Sequence, residues 1–147
     1  MSKNPLIDVL QRNRHLRSPA EVAAFDKALQ ALVQSQTVED LPDLLAVFTD
    51  DCQHLEVMDG LVHCVESFDL CSYLAALVEG VPSMTIHAPE WTNTLHYRIL
   101  NDDVSRECYK KLYQSASSAA KEAVKAVLLK IQAEDADFTS RVRQLVA

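Results

Sequence analysis

Residues 53–79 read QHLEVMDGLVHCVESFDLCSYLAALVE. Leu55, Met58, Leu61, Val62, Val65 and Phe68 recur every three or four positions, the spacing that places side chains on one face of an α-helix. Asp69 then stands where a side-chain cap opens a helix, and Tyr73, Leu74, Leu77 and Val78 supply its apolar side. The pattern predicts helices over 53–67 and 69–79. Gly80 and then Pro82 predict the end of the second. Residues 81–87 are the one plausible extended segment and read as a loop.

The same period runs outward in both directions. Ser18-Pro19-Ala20-Glu21 is a capping box with proline at the first helical position, followed by Val22, Phe25, Leu29, Leu32 and Val33, which predicts a helix over 19–34. Asp40-Leu41-Pro42 opens a helix over 39–49 with Leu44, Leu45 and Phe48 as its buried face. Ala88-Pro89-Glu90 opens 89–100, Asp102 or Asp103 opens 102–114, Ser117 or Ser118 opens 117–132, and Asp135 opens 135–146. A weaker helix covers Leu6 to Leu16. No segment alternates apolar and polar residues over the length of a strand.

The expected class is therefore all-α, in a single helical domain spanning 1–147. Helices 19–34 with 39–49, 53–67 with 69–79, 89–100 with 102–114, and 117–132 with 135–146 pair naturally through short loops. Stacked antiparallel hairpins of this size resemble a short HEAT or armadillo-like solenoid, with a globular bundle as the competing arrangement.

Composition excludes several functions. The chain has two glycines, Gly60 and Gly80, too few for phosphate-cradling loops, dinucleotide fingerprints or nucleophile elbows. Gly60 falls inside a predicted helix, which points to close approach by a neighbouring helix or a partner. No run reaches the length of a membrane span, and the N-terminus lacks a secretory pattern, so a cytoplasmic location is expected. Cys52, Cys64, Cys71 and Cys108 form no C-x-x-C pair and read as reduced, mostly buried thiols.

Net charge is −7, unevenly placed. No Lys or Arg occurs between Lys27 and Arg98, while that stretch holds eleven acids. Such a centre repels nucleic acid and anionic membranes and attracts a basic protein surface. With no base among those acids, few local ion pairs are expected there. Lys110, Lys111, Lys121, Lys125 and Lys130 are interleaved with Glu107 and Glu122 and read as a solvated helix face, not a nucleic-acid site.

Glu56, Asp59, His63 and Glu66 share one face of the 53–67 helix. A carboxylate–histidine metal patch or an acid–base pair is one reading of them. Without ligands from other helices, a partner-binding surface is the better one. The candidate partner-binding set is Asp50, Asp51, Glu56, Asp59, His63, Glu66 and Asp69, with Trp91 as an interface anchor if its ring is exposed. No catalytic residue, metal site or cofactor is assigned.

The segment from Glu56 to Phe68, then Tyr73, Ala88-Pro89-Glu90-Trp91 and Arg98-Ile99-Leu100-Asn101, resembles immunity family 30, bacterial immunity proteins of polymorphic toxin systems. Its most telling pieces are Gly60-Leu61-x-His63-x-x-Glu66, the Ala-Pro-x-Trp element and Arg98-Ile99-Leu100-Asn101, whose order and spacing carry the resemblance over about 38–115. It leads to an apolar or aromatic residue before Gly60, where this chain has Asp59. The resemblance implies a non-enzymatic, largely helical protein that neutralises a cognate antibacterial toxin domain, often a nuclease, by blocking its active site or its substrate's approach. On that view the acidic residues 39–69 cap a basic toxin. A general helical-repeat adaptor without a toxin partner is the alternative.

Overall fold

The computed structural model describes residues 3–147. Among them there are nine α-helices, two 3-10 turns and no strand. The order is α1 (Pro5–Asn13), α2 (Pro19–Gln34), a 3-10 turn (Val38–Asp40), α3 (Leu41–Leu45), α4 (Leu55–Glu66) and α5 (Leu70–His87). Then follow α6 (Pro89–Leu100), α7 (Asp103–Gln114), α8 (Ser118–Glu134), a second 3-10 turn (Ala136–Phe138) and α9 (Thr139–Val146). Contacts divide the chain into two compact units, with the division inside α5 between Tyr73 and Leu74.

The helix starts are where the capping residues put them. Ser18 Oγ accepts from the Glu21 amide at 3.2 Å, Asp69 Oδ2 from Ser72, Asp102 Oδ2 from Ser105, and Ser117 Oγ from Ala120. Each satisfies a backbone donor that the first helical turn leaves without a partner. The Asn4 side chain does the same for α1 by accepting from the Leu6 amide.

In the first unit, α1 and α2 form an antiparallel hairpin. Asn4 Nδ2 donates to Asp40 Oδ2 at 2.9 Å, tying the start of α1 to the turn after α2. The buried side chains Ile7, Leu10, Leu16, Phe25, Leu29 and Leu32 fill the space between. This corrects the expected pairing of 19–34 with 39–49. Only 41–45 of that second segment is α-helical, and α2 packs on α1 and α4 instead. Leu44, Leu45, Val47 and Phe48 are all buried, so the segment contributes to the core although its α-helical part ends at Leu45.

Leu16 sits in the bend between α1 and α2 with φ of 53°, a left-handed conformation that is costly for a branched residue. Its side chain has no exposed surface, and that burial holds it there.

A second correction concerns 80–87. Gly80 and Pro82 do not end a helix; α5 runs through both to His87. Val78, Val81, Met84 and Ala88 are buried at helical spacing, so packing outweighs the amide that proline lacks. Gly80 has no positive φ and turns nothing.

In the second unit, α6 pairs with α7 and α8 with α9, as the loop lengths predict. The two hairpins pack together, α6 on α8 and α7 on α9. Tyr97 and Phe138 meet edge to face with ring centres 5.1 Å apart, and the Arg141 guanidinium lies 5.2 Å from the centre of the Phe138 ring. Glu79 accepts from both the amide and the hydroxyl of Ser117, so this acid is absorbed at the start of α8.

Candidate partner-binding surface

Division of the chain relocates its charge. Residues up to Tyr73 carry twelve acids and five bases, and residues from Leu74 carry nine of each. All of the −7 therefore belongs to the first unit.

There, α4 turns Met58, Leu61, Val62 and Val65 inward and leaves Glu56, Asp59 and His63 outward. Those three side chains keep 76%, 45% and 65% of their surface, so a partner can reach them. His63 Nε2 lies 3.2 Å from Asp59 Oδ2, one helical turn away. Glu66, the fourth member of the face, is half-buried. The Glu56 carboxyl is held below its ordinary range, first by a hydrogen bond to its own backbone at the helix start and then by His54 at 3.3 Å. Among the described residues, no three metal-ligating side chains come together.

The other acids are engaged differently. Asp51 faces Arg17 at 3.5 Å and His15 at 3.4 Å. His15 also contacts the Asp51 carbonyl through Nδ1 at 2.6 Å, and the Gln53 amide donates to the His15 carbonyl. The bend at Leu16 thus pins residues 51–53 against the start of α2. Base-free in sequence, the acidic segment is not base-free in space. Asp50 is half-buried, and Asp69, although exposed, serves as the cap of α5. Asp40 is buried under Asn4.

Trp91 retains 8% of its surface. Its ring is buried in the second unit, so the condition set for an interface anchor, an exposed ring, is not met. The thiols also divide: Cys64 is buried, Cys52 and Cys108 are half-buried and Cys71 is exposed. Burial pushes the Cys64 thiol up to about 11, which keeps it protonated and inert.

Sequence reasoning missed a groove beside the acidic face. Arg17, Pro19, Val22, Ala23 and Asp26 line one side, and His54, Glu56, Val57 and Gly60 the other, around about 620 Å3. A Cβ added at Gly60 would meet Leu29 Cδ1 at 3.2 Å, so glycine lets α2 and α4 approach. The glycine was legible as a sign of close approach. Its partner, 31 positions earlier in the chain, was not.

The second unit holds a polar chain of another kind. His96 is fully buried, with Nδ1 2.7 Å from the Thr92 carbonyl and Nε2 2.8 Å from the Tyr109 hydroxyl. Burial drives its imidazole down to about 4, against a smaller opposing effect from the Thr92 bond. With no exposed surface it reaches no substrate, and it joins α6 to α7. Among the described residues no single helix is long and apolar enough to cross a membrane.

A family model described as Immunity protein 30 matches residues 12–109, two-thirds of the chain. The match takes in α2 and the Leu16 bend, which the motif resemblance left out. Comparison with curated proteins and with solved structures gave no match.

Proposed function

The chain belongs to the immunity protein 30 family, and on that premise we propose that it binds and neutralises a cognate toxin domain through the acidic surface of its first unit. The observation that carries the reading is the family match. Its span includes Asp50, Asp51, Glu56, Asp59 and Glu66. The charge placement supports an acidic cap, since the first unit carries the whole net charge.

The cap acts by complementarity. Exposed carboxylates on α4 cover cationic residues that the toxin uses for its own substrate, a nucleic acid being the natural polyanion. Like charges held on one ordered helix repel each other, and a basic partner relieves that repulsion. We place the encounter in the cytoplasm, with no cofactor, no membrane and no chemistry performed by this chain.

Co-expression with the C-terminal domain encoded immediately upstream tests the proposal. Growth should be rescued by this protein and lost again when Glu56 and Asp59 are both changed to Lys. Absence of rescue by the unaltered protein would overturn the toxin reading in favour of a general helical adaptor. Rescue and affinity unchanged by the double reversal, at low and high salt, would overturn the acidic cap.

A further inference from the structure

We infer that the groove between α2 and α4 seats one long cationic side chain, lysine or arginine, of the basic partner. The inference rests on the proposed function and deepens it, by naming a seat and the chemistry of its occupant.

Three features carry it. The groove has an apolar floor of Val22, Ala23, Val57 and Gly60, which suits the methylene stem of such a side chain. Carboxylates stand on both walls, Asp26 from α2 and Glu56 from α4, and both residues are exposed. Its volume of about 620 Å3 lies within the range of roughly 300–1,000 Å3 typical of ligand pockets.

The cations already at the groove do not fill this role. Arg17 is directed to the Asp51 carboxylate at 3.5 Å. His54 Nδ1 lies 3.3 Å from Glu56 Oε1 alone, and a carboxylate with about four acceptor positions keeps room for an incoming cation. Asp26 Oδ2 accepts from Gln30 Nε2 at 2.9 Å, which steadies the carboxylate through a neutral donor. A carboxylate has about four acceptor positions, so this bond is compatible with an incoming cation. An anionic or purely apolar occupant would leave two desolvated carboxylates uncompensated.

Titration of the full chain with acetyl-arginine amide and acetyl-lysine amide, followed through backbone amide signals, tests the seat. Expected are saturable shifts centred on Val22, Ala23, Asp26, Val57 and Gly60. They should be absent with the uncharged acetyl-citrulline amide. In an Asp26→Asn, Glu56→Gln variant the saturation midpoint should rise about fivefold, the size expected for two exposed charge contacts. An Ala23→Leu variant should block the seat while both carboxylates remain. Shifts of equal size with acetyl-citrulline amide, shifts centred instead on Asp59 and Asp69, or no saturable shift would each overturn the inference. No toxin takes part, so a silent groove defeats the seat alone, whereas failed growth rescue defeats the function.

Discussion

The Tyr109 hydroxyl donates to His96 Nε2 at 2.8 Å inside the second unit, where neither residue has exposed surface. The direction follows from the other nitrogen. The Thr92 carbonyl can only accept, so His96 Nδ1 carries the proton and Nε2 is the acceptor. A neutral imidazole is satisfied at both nitrogens, and a protonated one would face the tyrosine with two donors.

This sets a pH dependence. Folding lowers the His96 pKa from its ordinary 6.5 to about 4, so the unfolded chain binds the proton first. Stability from this group is complete above 6.5 and is lost as pH falls towards 4, by about 3 kcal/mol in total. Denaturant titrations between pH 7 and pH 5 should show the decline before most carboxylates titrate. His96→Gln should flatten it in that window. An unchanged slope in that variant would assign the decline elsewhere.

Tyr109→Phe removes the donor and leaves His96 Nε2 buried without it. The expected loss is about 1–3 kcal/mol, measured by chemical unfolding. A variant as stable as the parent would mean that another donor replaces the hydroxyl.

Gly60 and Leu29 define a packing test. Alanine at 60 gains up to about 1 kcal/mol of helix propensity, but its Cβ would press on the end of the Leu29 side chain at 3.2 Å. The net change should stay within about 1 kcal/mol of zero, because a leucine methyl can shift. Gly60→Val should cost about 1–3 kcal/mol through overpacking. Comparing Gly60→Ala in the parent and in Leu29→Val measures the coupling, and the alanine should be more favourable where Leu29 is shortened.

Thiol labelling separates the cysteines. Cys71 is exposed and should react first in the native protein, whereas buried Cys64, its thiol pushed up to about 11, should react only on unfolding. Native labelling of Cys64 at the rate of Cys71 would contradict its burial.

Much of the helical order was legible locally. Ser18, Asp69, Asp102 and Ser117 each cap the helix that their sequence position predicts, because a cap depends on residues two or three positions away. Local reasoning failed at Pro82, where the burial of Val81 and Met84 keeps α5 helical. For Trp91 the sequence left core and anchor both open, since an exposed and a buried tryptophan look alike at a helix start, and the structure buries it.

The candidate site divides along the same line. Sequence periodicity alone placed Glu56, Asp59, His63 and Glu66 on one face of α4, as a fixed 3.6-residue turn requires. Sequence alone also counted the acids and left the centre of the chain without a base. Only the tertiary structure brought Arg17 to Asp51, buried Asp40 under Asn4, turned Glu79 into the support of Ser117, and opened a groove between α2 and α4. Those pairings join residues far apart in the chain, and within the first unit the bend at Leu16 holds residues 51–53 to the start of α2 while Gly60 lets α2 and α4 approach. Charge along a chain is a property of the sequence. Which charges remain available to a partner is decided by packing.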